Sequence, residues 1–377
     1  SRAGFAPTMV ESAPTLRTGG YIVDFWGPGF EAAERMGLAP RLREIGYRVG
    51  ELRLLNARGA ATVKLDTGAV NRLLGERYVS LPRGELAAAF FNLAKDRAEA
   101  RFDEEIERLV EDEGGVDVTF RRGPSQRFDL VFGADGLHSK VRRLAFGEGP
   151  DPIAPLGYHV AAFTAPNYPH RDELAYVTRT VPGRQAVRFA LRDGSTAFFM
   201  MMRAELARGR PLDTSERQRA YLAETFAGVG VEAPDLVWAM EGATDLYFDI
   251  VAQVRAPAWS NGRVALVGDA AWCPSLLAGE GAAFATAGAL VLAGELADAQ
   301  GDHRVAFPRY ERRLRAFIEK RQKSVLWMGA WFAPKTRLGL FVRDRITALA
   351  ALPGLDRLLL GPTVGGGFAL PDYPWTR

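Results

Sequence analysis

An α/β chain with a parallel-strand unit, a second antiparallel sheet and helices at its C-terminal end is predicted by three observations. Two short apolar runs closed by glycine, LVFG at 130–133 and VALVG at 264–268, read as central parallel strands buried on both faces. Between them, from about Pro152 to Ser260, the texture changes to alternating, aromatic strands: YHVAAFTA, LAYVTRTV, QAVRFAL and STAFFMMMRA. That alternation marks an antiparallel sheet. After Gln300, RYERRLRAFIEKRQKSVLWMGAWFAP and RLGLFVRDRITALAAL have the composition of two helical stretches.

Composition narrows the function. At 377 residues, 47% apolar and 25% charged, the chain is long enough for two domains sharing an interface. Its net charge is only +3, with Arg and Lys interleaved among acids, which argues against a nucleic-acid footprint. The longest stretch without Asp, Glu, Lys or Arg, Pro152 to His170, carries four prolines and cannot span a bilayer as a regular helix, so no transmembrane segment is expected. One cysteine, Cys273, excludes a disulfide framework and a C-x-x-C redox pair, and fits a reducing, cytoplasmic compartment. No charged and apolar leader opens the sequence. The four histidines, His138, His159, His170 and His303, have no spacing suited to a metal.

In chain order, APTMVESAP reads as a short strand ending at Glu11. In a dinucleotide-binding unit, the acid that takes the ribose hydroxyls sits about 20 residues after a G-x-G-x-x-G loop. No such loop opens a helix anywhere in the sequence. If Glu11 is that acid, the first strand, the glycine loop and most of the first helix precede Ser1. RTGGYIVDFWGPGF, 17–30, is glycine-rich and aromatic, which makes Arg17, Gly19, Gly20 and Asp24 pocket candidates ahead of the helix EAAERMGL. LRLLNARGAATVKLD reads as a hairpin crossing into the second domain. Arg83 opens the helix RGELAAAFFNLA, an unfavourable place for a cation unless an anion offsets it.

FDLVFGADGLHSKVRRLAF carries a strand ending at Gly133, a turn at Asp135 and Gly136, and a helix with Ser139 and Arg142. GRVALVGDAAWCPSLLAGEG places Gly268 and Asp269 at the carboxyl end of a buried strand, where open α/β sheets bind ligands. Pro274, Gly279, Glu280, Gly281, Ala282 and Ala283 then lead into the small-residue helix AAFATAGALVLAGEL, whose free amides point back to the same crevice.

These two segments, in this order, resemble the motifs of the FAD-dependent aromatic monooxygenases, the p-hydroxybenzoate hydroxylase-like class A group. The sequence departs from the family at Trp272, Glu280, Ala283 and Gly288, where the family commonly has His, Gln, Asn and Asp. The resemblance implies a Rossmann-like FAD-binding domain, truncated at its N-terminal strand and loop, with an antiparallel-sheet substrate domain and C-terminal helices. Residues 1–50, 83–150 and 261–300 would form the first, 51–82 and 151–260 the second, and 301–377 the helical region. Asp269 would bond the ribityl chain, the Glu280–Ala283 helix start would face the flavin, and the R-x-G-G loop at Arg17 and the R-x-x-L helix at Arg83 would also contact it. The Asp135 motif, with Ser139 and Arg142, would serve both FAD and NAD(P)H. The implied activity is hydroxylation of an aromatic or polyketide-like molecule by O2 through a flavin C4a-hydroperoxide. Phe189, Phe198, Met200 and Met202 are candidates for the pocket floor, and Arg188, Tyr247 and Trp272 for substrate contact. An FAD-dependent reductase, a halogenase and a non-catalytic remnant are the alternative readings. If the glycine loop precedes Ser1, residues 1–377 are expected to hold FAD weakly.

Overall fold

Two pairs of short parallel strands carry the nucleotide-type half of the molecule. Thr8–Glu11 pairs with Glu99–Phe102, and Val131–Gly133 with Val264–Leu266. The pairs stand as separate sheets, the second extended by the antiparallel bridge of Ser260–Asn261. The computed structural model describes residues 4–16, 21–68, 77–147, 149–350 and 368–374. A three-stranded antiparallel sheet, Ile106–Asp112, Gly115–Phe120 and Gln126–Phe128, flanks this half.

The other half is a seven-stranded sheet in the order Tyr247–Val254, Ile153–Pro166, Ser195–Arg203, Arg184–Ala190, Ala175–Val181, Glu51–Leu55, Ala61–Asp66. All its pairings are antiparallel except Ala175–Val181 with Glu51–Leu55, where the hairpin enters alongside from another part of the chain. Tyr247–Val254 is the edge strand of this sheet, paired with Ile153–Pro166. The strand Tyr78–Pro82 does not join it. It pairs with Ile22–Trp26 in a two-stranded ribbon that leads into the helix Arg83–Ala94.

Helix Gly281–Asp298 is the axis of the nucleotide-type half. Its small residues let helix Gly27–Arg35 cross at backbone contact: a Cβ at Gly29 would lie 2.3 Å from Ala283 Cα. By length and composition it is, among the described residues, the one helix able to cross a membrane, yet more than half of it is buried inside the fold. Helix His303–Ser324 lies along it, burying Phe307, Tyr310, Leu314 and Ile318 in the same core. The long C-terminal stretch read as one helix breaks after Ser324, and Met328–Phe332 and Arg337–Ala350 follow as separate helices.

The large sheet is apolar on both faces. Even-numbered residues of Ser195–Arg203 face helices Ser215–Phe226 and Ala233–Gly242, where Phe198, Met200 and Met202 pack with Tyr221, Phe226 and Met240. Odd-numbered residues face the nucleotide-type half, where Met201 and Phe199 pack with Tyr158, Val160, Tyr247 and Leu277. Phe198, Met200 and Met202 therefore lie on the back of the sheet and do not floor a pocket at the crevice. On the other side, Phe199 is half-buried at the crevice, and Met201 is fully buried in a core with Tyr158 and Leu277.

Phe198 is stacked on Phe163 at 4.7 Å and edge-on to Tyr168 at 4.8 Å, and is 2% exposed. Replacing Phe198 by Ala should cost about 3 to 5 kcal/mol in urea unfolding, as expected for emptying a packed core site. Phe199→Ala, at the half-buried crevice face, should cost less than half of that.

Candidate functional site

The strand Val264–Leu266 is continued by Val267, whose N–H bonds Gly133 O at 2.9 Å, and it stops at Gly268. Gly268 has φ +62°, and a Cβ there would meet the Ala285 side chain at 3.0 Å, so the turn and the axial helix close on each other only with glycine. Asp269 opens the helical turn Asp269–Trp272. Its Oδ1 is buried and has no hydrogen-bond partner among the described residues. Burial pushes its carboxyl up, against the Cys273 thiol and the Arg83 guanidinium, which favour the charged form. An orphaned carboxylate oxygen is costly and calls for a ligand donor.

The segment from Pro274 to Gly281 leads from that turn into the axial helix. Ser275 has φ +115°, a conformation rare for a side-chain-bearing residue and frequent at ligand clamps, and its Oγ accepts the Leu277 N–H. After the turn Leu276–Ala278, Gly279 sits at φ +64°. A Cβ at Gly281 would lie 3.6 Å from Asp269 Oδ1, so glycine keeps the carboxylate uncovered beside the free amides of an 18-residue helix. Ala282 and Ala283 continue its first turn, packed against the Gly27–Arg35 helix. Glu280, 7% exposed, precedes this helix, and burial pushes its carboxyl up to about 7 although Arg321 stands 3.9 Å away.

The GADG turn is held from within. Asp135 accepts the N–H groups of Lys140 at 2.7 Å and Val141 at 2.9 Å and the Ser139 hydroxyl, while Ser139 Oγ caps the helix by accepting the Arg142 N–H. Gly136 takes φ +80°. Arg142 is buried and donates to Leu137 O and Ala270 O, each at 2.8 Å. It ties the first motif to the second and presents no free guanidinium to a nicotinamide cofactor.

Around the crevice the structure gathers residues from five segments. Arg83, over the Tyr21 ring at 5.8 Å, has no carboxylate partner among the described residues. Tyr21 packs on Phe199 and Tyr247, with ring centroids 6.3 and 5.9 Å apart, and feels the charges of Arg83, Asp269 and Asp249. Tyr247 O–H donates to Asp249 Oδ2 at 3.1 Å, and the exposed His138 places Nε2 at 3.0 Å from Oδ1. Nothing in the sequence singled out Asp249 or His138, since a lone Asp on a strand and a His inside the Asp135 motif carry no spacing signal. Tyr21 and Ser275 were equally invisible.

Other candidates lie elsewhere. Arg188 is on the back of the sheet, paired with Glu232 and Asp172, each at 2.8 Å. Phe189 faces the crevice side but is buried beneath Tyr47 and Tyr176. Trp272 is a core residue beside Trp259, its Nε1–H donated to Tyr310 at 3.1 Å. Asp24 is enclosed by the hydroxyls of Tyr78, Ser80 and Tyr176, and burial pushes its carboxyl up. Glu11 ends its parallel strand exposed, accepting the Ala13 N–H at 2.8 Å. Arg17, Gly19 and Gly20 lie outside the described residues.

The donor set fits a dinucleotide with a polyhydroxylated chain. Asp269 Oδ1 can take a hydroxyl, the Gly281 amides an electronegative edge or phosphate, and Arg83 an anion. Comparisons agree. The FAD binding domain family model matches residues 29–320. An uncharacterised protein of Mycobacterium tuberculosis is 35% identical over 333 residues, covering 85% of this chain and 86% of that one. A flavin-dependent monooxygenase of Legionella longbeachae is 29% identical over 377 residues, covering 99% and 93%. The crystal structure of tetracycline destructase Tet(51) superposes with a TM-score of 0.83 at 28% identity, covering 99% of this chain and 94% of that one.

Asp269→Ala should weaken FAD binding by about tenfold or more in a fluorescence titration, the worth of a hydrogen bond to a charged group. Undiminished affinity would remove Asp269 from the site. Glu280 should leave a second mark. A carboxyl raised in the folded state binds its proton more tightly than in the unfolded chain, so its contribution to stability is full at low pH and is lost as pH rises through about 7. Unfolding free energies of wild type and Glu280→Gln should therefore diverge between about pH 4.5 and 7, wild type losing on the order of 3 kcal/mol relative to the variant.

Proposed function

This chain belongs to the FAD-binding domain family and is a flavin-dependent monooxygenase, and from that premise we propose that it uses NAD(P)H and dioxygen to hydroxylate an aromatic or polycyclic small molecule. The observation that carries the proposal is the unpartnered Asp269 Oδ1 at the strand end, beside an uncovered helix N-terminus and facing a crevice floored by aromatic side chains. In this reading residues 1–50, 83–150 and 261–300 serve the cofactor, and 151–260 with the 51–66 hairpin serve the substrate.

The chemistry supplied by FAD when bound is passage of electrons from NAD(P)H to dioxygen, one oxygen atom entering the substrate and the other leaving as water. The chain's task is placement and exclusion. Asp269 and the Gly281 helix start hold the cofactor. Phe199, Tyr21 and Tyr247 form an aromatic wall, backed by the fully buried Met201 and Val160, that keeps water from the reacting face and accepts a flat ring. Tyr247 is positioned to exchange a proton with a substrate hydroxyl: its O–H points to Asp249, and Asp249 is joined to His138, 57% exposed at the surface. A proton can thus cross from the aromatic wall to solvent while the wall stays closed.

Protein loaded with FAD is expected to oxidise NADH or NADPH faster when an accepted phenol or polycyclic phenol is present, with one atom of labelled dioxygen recovered in the product. No stimulated oxidation and no label across such a panel would refute the proposal. Tyr247→Phe should lower kcat by about a hundredfold, the scale of general acid–base assistance, with KM little changed. His138→Gln should lose less, because water can reach Asp249 from outside.

A further inference from the structure

One helix of this protein turns polar residues to the core and apolar residues outward. Arg337–Ala350 packs on strands Ala61–Asp66 and Ala175–Val181, the first of which is an edge of the large sheet. Its buried residues are Arg343 and Thr347: Arg343 Nη1 donates to Thr180 Oγ1 at 3.0 Å, and the Thr347 hydroxyl donates to Arg343 O at 2.9 Å. Thr180 stands opposite Gln185, and Gln185 opposite Met201, so the helix covers the same face of the sheet as Met201. Its large apolar residues point the other way. Leu338, Phe341, Val342, Ile346 and Leu349 recur at helical spacing and are all between 41% and 73% exposed.

A stripe of large apolar side chains along one helix differs from the single exposed residues scattered over ordinary surfaces, and marks a contact surface. Its charges identify what it meets. Arg345 stands within the stripe, its guanidinium 4.9 Å from the centre of the Phe341 ring, and Arg337 is exposed at the start of the helix. Neither has a carboxylate within ion-pair distance among the described residues. The helix has one acid, Asp344, and it is taken: Arg343 donates to it at 2.6 and 2.9 Å, and it also faces the charge of Arg179. A second copy of this face would therefore set Arg337 and Arg345 against apolar side chains or other arginines, with no free acid on the helix to meet them. An anionic lipid surface satisfies both parts of the pattern. Its acyl boundary takes the stripe, and an arginine within the stripe lays its stem along the apolar layer and its guanidinium on the head-group phosphates.

We propose that helix Arg337–Ala350 docks this protein on an anionic lipid bilayer, with Phe341, Val342, Ile346 and Leu349 in the acyl boundary and Arg337 and Arg345 among the phosphates. Its 14 residues rise about 21 Å, short of the roughly 30 Å of a hydrocarbon core, so the helix lies on the bilayer and does not cross it. The attachment is peripheral and reversible. None of these side chains is among the crevice residues described above, so docking and chemistry can be measured apart.

The test is co-sedimentation of FAD-loaded protein with vesicles of phosphatidylcholine alone, or of two parts phosphatidylcholine to one part phosphatidylglycerol. Wild type should pellet with the mixed vesicles, pellet less with phosphatidylcholine, and be released by added NaCl. The double variant Phe341→Ser, Ile346→Ser should bind the mixed vesicles about tenfold or more weakly, and Arg345→Gln about fivefold more weakly with no change on phosphatidylcholine. Trp238→Ser, which removes a comparably exposed ring from a helix on the opposite face of the sheet, should bind as wild type does. The flavin absorbance of each variant reports that the fold is intact. The proposal is overturned if wild type stays in the supernatant at millimolar lipid, or if Trp238→Ser loses as much as the double variant. It is equally overturned if wild type ignores vesicles and self-associates in sedimentation velocity while the double variant is monomeric, which would assign the stripe to a second copy.

Discussion

A buried guanidinium holds the two halves of the cofactor crevice in register. Arg142 rises from the helix Lys140–Phe146 and donates to Leu137 O in its own loop and to Ala270 O in the turn that follows Asp269. Two carbonyls on loops separated by more than a hundred residues are thereby fixed to one planar group, and the orphaned Asp269 oxygen is fixed with them. Burial lowers the Arg142 pKa although Asp151, at 3.9 Å, and Asp135 oppose it, so the guanidinium pays desolvation in order to orient backbone. A Lys at this position would offer no rigid fork, and its single ammonium could not reach both carbonyls in the same geometry.

This tie explains how the motifs were legible and what they concealed. GADG-x-x-S-x-VR and GDAA can be read in the sequence because each residue serves a local turn: Asp135 caps, Gly136 reverses, Ser139 caps again, Gly268 bends. Their spacing is dictated by short-range geometry, and sequence reports short-range geometry well. The destination of Arg142 is a long-range fact. A pattern that places an Arg at the third position of a helix says nothing about which carbonyls lie across the sheet, so the contacts of Arg142 with Leu137 O and Ala270 O could not be read from it.

The same distinction governs the large sheet. Its existence and strand positions were legible, because alternation and turn residues bound each strand. The facing was not. FFMMM in Ser195–Arg203 is apolar on both faces, since helices cover one side and the crevice wall the other, and a strand buried twice carries no period-two signal. A shift of one residue exchanges Phe198 for Phe199 and moves the whole candidate set from one side of the sheet to the other. Arg188 shows what could have helped: a charged residue in a doubly buried strand must find partners, and acids close by in sequence, such as Asp172, belong to the back layer.

The crevice concentrates anions where the helix dipole can tolerate them. Asp269 and Glu280 flank Gly281 at the start of Gly281–Asp298, and both are held above the usual carboxylate range by burial rather than by each other. Asp249 differs, being partly open to solvent and flanked by a phenol and an imidazole. The arrangement assigns distinct tasks to chemically identical groups. A carboxylate with an orphaned oxygen in a closed wall can only accept a donor and hold it, whereas one bonded on both sides, with one partner at the surface, can pass a proton outward. An apolar aromatic wall and a polar exit are incompatible if the exit is a water channel, because water that leaves can also enter. In the function proposed for this site, a chain of side chains from Tyr247 through Asp249 to His138 would remove that conflict, since it would pass a proton along hydrogen bonds rather than through water.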